Sequence, residues 1–141
     1  MIAVDTNVLL HAHRADSPMH DVATKRLGEA ARRPWAIPCP CIHEFLAVAT
    51  HPRVFAPPSP LDDALQAVAS WRAVATTRLL AEAEGYADLL DTVLRDSQVV
   101  GPRIHDARIA ALCLQHGITE LWTADRDFSR FRGLRTRNPL L

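Results

Sequence analysis

The chain opens with MIAVDTNVLL, residues 1–10, an apolar run interrupted by a single acid, Asp5. The segment Ile2 to Val4 is typical of a short buried strand, and the residues after Asp5 return to an apolar pattern that suits a helix. Asp5 therefore lies at the carboxyl end of the predicted strand. Open α/β sheets place their active sites at that end of the strands, which makes Asp5 the first candidate site residue.

Three further acids, Glu44, Asp106 and Asp125, recur at the ends of later apolar runs. If those runs are strands of one parallel sheet, all four carboxylates lie at the same rim. Taken singly, an aspartate before a helix is an ordinary N-cap that satisfies free backbone donors. Capping does not require an acid after nearly every strand, so the joint pattern favours a shared site.

Short strands alternate with helices along the chain, which predicts an α/β fold: a three-layer sandwich with a short, mainly parallel sheet flanked by helices. Proline and glycine mark the boundaries between elements. The predicted strands are 2–4, 35–37, a minimal 99–100, 120–123 and an edge strand at 134–136; the predicted helices are 20–32, 40–50 and 105–116, with a helical hairpin at about 61–95.

The chain has 141 residues and is 48% apolar, which indicates one domain covering residues 1–141. Its 16 basic and 16 acidic residues cancel, so an anionic partner must be held by local patches or by metal ions. Three cysteines without a Cys-x-x-Cys motif favour reduced, mostly buried thiols in a cytoplasmic protein. The opening run lacks the features of a signal peptide or a membrane span, so no membrane partner is expected.

The helical pattern bears on the orientation of two of the acids. Ile109, Ala110 and Cys113 follow Asp106 at offsets of three, four and seven, so Asp106 continues the stripe that should face the sheet. The apolar stripe around Glu44 leaves that side chain on the opposite side of its helix. The periodicity therefore predicts an inward Asp106 and does not predict an inward Glu44.

Carboxylates gathered at one rim repel each other, by roughly 3 kcal/mol for a pair about 5 Å apart at an effective dielectric near 20. A cation must compensate this repulsion. Oxygen ligands without a cysteine or histidine set suit Mg²⁺ or Mn²⁺, which keep several waters and commonly meet substrate phosphates. The pattern thus favours metal-assisted hydrolysis of a phosphodiester.

With these residues in place, the chain resembles a PIN-domain ribonuclease, the toxin component of bacterial VapBC toxin–antitoxin pairs. The resemblance spans essentially the whole chain. It is carried by VDTNVL at 4–9, Glu44, HDARIAA at 105–111 and LWTADRDF at 121–128.

The resemblance implies endonucleolytic cleavage of RNA at a Mg²⁺ or Mn²⁺ pocket formed by the four acids. It also implies that Asp5 and Asp106 are the direct metal ligands and that Asp127 supplements them. The matching positions Asn7 and Thr123 would orient the acids, since such contacts fix ligand geometry. A homodimer and a cognate antitoxin, whose tail occupies the acidic groove, are further implications.

Arginines crowd the C-terminal part of the chain beside Asp125, and Arg126 and Arg130 are candidates for contacts to RNA phosphates. A solvated polar surface explains the same residues nearly as well.

Two other functions compete with the nuclease. An aspartyl-phosphate phosphatase would use Asp5 as its nucleophile, but Asn7 stands where such enzymes have a second acid. A catalytically inactive domain of the same fold could bind RNA or a protein. Nothing in the sequence favours loss of activity, because all four acids are present.

Overall fold

The computed structural model describes all residues from 1 to 141 and contains one five-stranded sheet. Its strand order is β3-β2-β1-β4-β5, and every neighbouring pair is parallel. β1, which carries the opening apolar run, lies at the centre, so its carboxyl end is surrounded by the other strands. The strands are β1 Ile2–Val4, β2 Trp35–Pro38, β3 Thr77–Leu80, β4 Glu120–Trp122 and β5 Arg135–Arg137.

Six α-helices flank the sheet, which confirms the predicted α/β class. α1 begins directly after Asp5, whose side chain accepts a hydrogen bond from the backbone of Thr6, and α3 begins after Pro38 with a further proline in its first turn. The helices are α1 Thr6–His13, α2 His20–Ala30, α3 Cys39–Ala49, α4 Leu61–Ala73, α5 Tyr86–Ser97 and α6 Ile104–Gln115, with short 3₁₀ helices at Gly101–Arg103 and Arg126–Arg130.

The predicted helical hairpin at about 61–95 is wrong, because a strand separates its two helices. β3 pairs with β2 through four residues, and α5 starts only after Gly85, which has a left-handed backbone with φ of 85°. The strand was missed because it is short and lies at the sheet edge. Only Leu80 of its four residues is buried, so it lacks the alternation that marks a strand in sequence.

The predicted minimal strand at Val99-Val100 is also wrong. Val99 is buried and Val100 is exposed, and the chain then turns at Gly101, with φ of 62°, into a 3₁₀ helix. Of the two apolar residues here, only Val99 is buried, and it anchors a loop and is not part of a strand. The strands at 2–4, 35–37 and 120–123 are confirmed to within one residue, and the edge strand at 134–136 is shifted by one.

Phe45 of α3 anchors the core on one side of the sheet. It is fully buried and makes edge-on contacts with the rings of His13 and Trp71, with ring centroids 5.2 and 4.9 Å away. These contacts join α1, α3 and α4. Because α1 and α3 carry site residues at their starts, the packing of Phe45 also holds those starts in place.

We expect Phe45→Ala to lower the free energy of unfolding by about 3–5 kcal/mol, because it leaves a cavity among three helices. Urea denaturation monitored by circular dichroism measures this change. Leu65→Ala is the matched control, since Leu65 lies exposed on α4 and its loss should cost under about 0.5 kcal/mol. Equal losses for the two variants would contradict the assigned packing.

Candidate active site

The four acids lie at the carboxyl ends of the strands, here called the acidic rim. Asp5 directly follows β1, Asp125 follows β4, Glu44 lies in the helix after β2, and Asp106 occupies the first turn of α6. Asp5 is buried, with 5% of its surface exposed, whereas Asp106 and Asp125 are half-buried and Glu44 is exposed. The rim therefore has a buried floor and an open edge.

Four donors surround the Asp5 carboxylate. Oδ1 accepts hydrogen bonds from the Thr6 backbone at 2.8 Å and the Cys41 thiol at 3.5 Å. Oδ2 accepts from Asn7 Nδ2 at 3.0 Å and Thr123 Oγ1 at 2.8 Å. A carboxylate offers about four lone-pair sites, so the orientation of Asp5 is fixed on both oxygens.

Asn7 and Thr123 connect Asp5 to the loop after β4. Asn7 Nδ2 also lies 3.2 Å from Thr123 Oγ1, and Asn7 Oδ1 accepts the Ala124 backbone N–H at 3.0 Å. Thr123 Oγ1 further accepts the Asp125 backbone N–H at 3.0 Å. Asn7 and Thr123 therefore both contact Asp5 and position the loop that carries Asp125.

Asp125 and Asp127 belong to one tight turn beyond β4. The Asp125 side chain accepts the backbone N–H of Asp127 at 2.9 Å and caps the 3₁₀ helix Arg126–Arg130. Asp5 and Asp125 thus both cap helices and also lie at the shared rim. Asp106 does not cap α6, which begins after Arg103 without a side-chain cap.

The acids affect each other electrostatically. Burial raises the pKa of Asp5, and the charge of Asp125 raises it further against the lowering effect of the Thr123 and Thr6 hydrogen bonds. Burial, then Asp125 and Asp5, raise the pKa of Asp106, while Arg103 lowers it. The acids are therefore close enough for each charge to disfavour the next.

Glu44 belongs to the same electrostatic group. Partial burial raises its pKa most, and the charges of Asp5 and Asp106 raise it further. Glu44 and Asp106 face each other across a cleft of about 490 Å³ between α3 and α6, which His43, His105 and Arg108 also line. Glu44 is exposed on α3, off the apolar stripe of that helix, and a hydrogen bond with the Thr6 side chain at the start of α1 lowers its pKa in part.

Arg103 is a site residue that the sequence analysis missed. Its Nη1 lies 3.5 Å from Asp106 Oδ2 and makes a closer ion pair with Asp127 Oδ2. One guanidinium nitrogen thus lies between carboxylates from two different elements. The sequence could have indicated this contact, because Arg103 lies three residues, about one helical turn, before Asp106.

Cys41 is a second missed residue, since the sequence predicted only that the cysteines are reduced, mostly buried thiols. Cys41 is fully buried, and burial raises the pKa of its thiol, with the Asp5 charge adding to the effect. It therefore remains a neutral S–H donor to Asp5. The predicted arginines, Arg126 and Arg130, are exposed in the 3₁₀ helix after Asp125.

The donor set suits a hard divalent cation. The rim offers carboxylate oxygens with raised pKa values, an arrangement that a bound cation would relieve. No three histidine, cysteine, aspartate or glutamate side chains converge tightly enough for a ready-made metal cage. Mg²⁺ does not need such a cage, because it binds through one or two carboxylates and keeps several waters.

The chain also contains no helix long and apolar enough to cross a membrane.

Sequence comparison places the chain among known proteins. The profile of the PIN domain matches residues 2–134. VapC ribonuclease Mb2897 from Mycobacterium bovis is 37% identical, with 99% of this chain and 96% of that protein covered. Ribonuclease VapC48 from Mycobacterium tuberculosis is 31% identical, with 96% of this chain and 94% of that protein covered.

Solved structures share the fold at lower identity. VapBC2 from Rickettsia felis, bound to a DNA fragment from its promoter, superposes with a TM-score of 0.70 at 15% identity and covers 97% of this chain and 98% of that chain. The Mycobacterium tuberculosis sarcin-ricin loop cleaving toxin VapC20 superposes with a TM-score of 0.66 at 18% identity, covering 96% and 99%. The domain match and the full-length identity together show that this chain belongs to the PIN-domain family, among the VapC ribonucleases.

Proposed function

We propose that the chain is the toxin endoribonuclease of a VapBC pair and hydrolyses RNA phosphodiester bonds with Mg²⁺ or Mn²⁺ held at the acidic rim. The observation that supports this most directly is that Asp5, Asp106 and Glu44 share one open-edged rim, where burial and then the charges of neighbouring acids raise the pKa of each. Acids in this state favour a cation between them. Full-length relatives named as ribonucleases support the choice of RNA as substrate.

Asp5 and Asp106 are the proposed metal ligands, with Asp125 and Asp127 supplementing them. When bound, the cation activates water and neutralises charge that develops on the phosphate. Asp5 is held in orientation for this role by donors on both of its oxygens. Its saturated lone pairs mean that one donor must yield, and the 3.5 Å thiol contact is the weakest of the four.

Glu44 is the proposed acceptor of a proton from the attacking water. It is exposed at the open edge of the rim, and its raised pKa brings it towards the pH at which a carboxylate accepts and releases protons readily. Arg108 and His105 line the same cleft and could contact the RNA phosphate there. Arg126 and Arg130 extend the cationic surface beyond Asp125.

A cognate antitoxin and a second copy of the chain are the proposed protein partners. The solved neighbours include VapBC assemblies from Rickettsia felis and Salmonella typhimurium, which supports an antitoxin partner for this chain. A cytoplasmic location follows from the same proposal, because RNA is the substrate.

The aspartyl-phosphate phosphatase is disfavoured by the surroundings of Asp5. Asn7 stands where such enzymes have a second acid, and its amide donates a hydrogen bond to Asp5. The inactive binding module remains the alternative to test. It predicts RNA retention without cleavage.

We expect Asp5→Asn and Asp106→Asn to reduce RNA cleavage by on the order of 100-fold or more, because each removes a proposed ligand oxygen and its charge. Gel assays of a labelled RNA in Mg²⁺ or Mn²⁺, with and without EDTA, measure this loss. Asp21→Asn on the exposed surface of α2 is the control and should cleave at the wild-type rate. Cleavage that survives both EDTA and the two rim substitutions would overturn the proposal.

In metal-free buffer at pH 7, we expect Asp106→Asn to raise the melting temperature by about 2 °C. The folded-state pKa of Asp106 lies above the ordinary value of 3.8, so its ionised form disfavours the folded state. Protonated Asp106 therefore contributes favourably to the free energy of unfolding. This contribution is fully present below pH 3.8 and is lost as the pH rises through the folded-state pKa of Asp106. The difference between variant and wild type should therefore shrink near pH 3.8.

Thermal melts across pH, with Asp21→Asn as the surface control, test this expectation. A melting temperature for Asp106→Asn clearly below the wild-type value at pH 7 would show that the carboxylate stabilises the fold.

Arg103 is proposed to act as an internal counter-cation that competes with the metal for Asp106 and Asp127. We expect Arg103→Gln to tighten Mn²⁺ binding roughly threefold to tenfold, because it removes a positive charge beside the proposed ligands. Isothermal titration of metal-free protein measures the change. The control, Arg103→Lys, keeps the charge and should bind Mn²⁺ nearly as the wild type does. Weaker Mn²⁺ binding by Arg103→Gln would contradict the proposal and show that Arg103 positions the ligands.

A further inference from the structure

The charges of this neutral chain are distributed unevenly over the molecule. The acidic rim lies at the carboxyl ends of the strands. At their amino ends lies a separate cleft of about 680 Å³ between the end of α2 and the sheet. Arg32, Arg33 and Arg135 line this cleft, which is called the arginine cleft below.

None of the three cleft arginines forms an ion pair, and each is exposed. The two acids of the cleft are already engaged. Glu29 is paired with Arg26 at 3.0 Å, and Glu120 accepts a hydrogen bond from Trp122 Nε1 at 2.9 Å. Glu120 keeps its negative charge in that hydrogen bond, so three arginines and one uncompensated acid leave the cleft with a net positive charge.

The arginine cleft and the acidic rim are joined by the same two strands. Arg135 and Arg137 of β5 lie opposite Glu120 and Trp122 of β4, and the Arg137 guanidinium is 6.0 Å from the centre of the Trp122 ring. The Thr123 backbone N–H donates to the Arg137 carbonyl at 2.9 Å. The two regions are thus one short strand apart, about 10 Å for three residues.

An acidic rim cannot by itself attract a polyanion. In protein–nucleic acid complexes, contacts between basic side chains and phosphates supply most of the sequence-independent affinity. Since the chain has no net charge, that affinity must come from arginines free of internal partners. The arginine cleft concentrates three of them in one concave surface, and the planar guanidinium fork suits phosphate oxygens.

We propose that the arginine cleft binds phosphates of single-stranded RNA whose scissile bond lies at the acidic rim, a few nucleotides away. This inference rests on the proposed ribonuclease function. A flexible single strand can bend around the edge of the sheet to reach both regions, which lie at opposite ends of the strands. The cleft adds affinity for long RNA and leaves the chemistry at the rim unchanged.

The test compares two double variants that remove the same charge. Arg33→Gln/Arg135→Gln changes the cleft, whereas Arg72→Gln/Arg78→Gln removes two exposed arginines from α4 and the opposite edge strand, β3. Fluorescence anisotropy with a labelled single-stranded 12-nucleotide RNA in EDTA measures binding without cleavage. Thermal melts confirm that both proteins are folded.

We expect the cleft variant to bind RNA about tenfold more weakly than the wild type at about 100 mM salt. We also expect the slope of log K against log salt to become shallower by about 1.4, because each of two lost phosphate contacts on a single strand accounts for about 0.7. The matched control should change affinity less than about twofold. Arg33→Lys/Arg135→Lys should recover most of the wild-type affinity, because it restores the charge.

The outcomes separate this inference from the proposed function. Wild-type protein that neither binds nor cleaves RNA defeats the proposed function itself. Wild-type RNA binding with an equal loss, or no loss, in the two double variants overturns the role of the cleft alone. Unchanged RNA binding with weakened binding of an acidic peptide would assign the cleft to a protein partner and likewise overturn the proposal.

Discussion

Carboxylates partly removed from water at one rim, with their mutual repulsion added, are the constraint on which this site depends. Parallel strands end on the same side, so the acids after β1 and β4, and those on α3 and α6, meet there. The surrounding contacts either offset the repulsion or hold the acids against it. Four donors fix Asp5, and Arg103 bridges Asp106 and Asp127.

Much of this arrangement could be predicted from sequence because it depends on local pattern. A short apolar run followed by an acid predicted the end of β1, and the spacing after Asp106 predicted its inward orientation. The edge strand β3 could not be predicted in the same way, since it has one buried residue and gains its strand structure by pairing with β2. Tertiary pairing decides such segments more strongly than propensity does.

The gathering of the four acids at one rim was predicted from the sequence, whereas two of their neighbours were missed. Asp5, Asn7 and Thr123 do contact one another, whereas Arg103 and Cys41 emerged only from the folded structure. Their roles depend on which carboxylate lies within reach after folding, and that is set by pairs distant in the chain. N-capping also proved compatible with a place at the rim, because Asp5 caps α1 and still contributes a carboxylate there.

The contact between Thr123 and Asp5 joins residues separated by 118 positions. Native contacts with large sequence separation close long loops, and they form late and slowly when a chain folds. A partly folded molecule in which β4 has not yet docked beside β1 lacks the second half of the pocket, even with β1 and β2 already paired. The complete set of contacts around Asp5 therefore exists only in a molecule whose first and fourth strands are already paired.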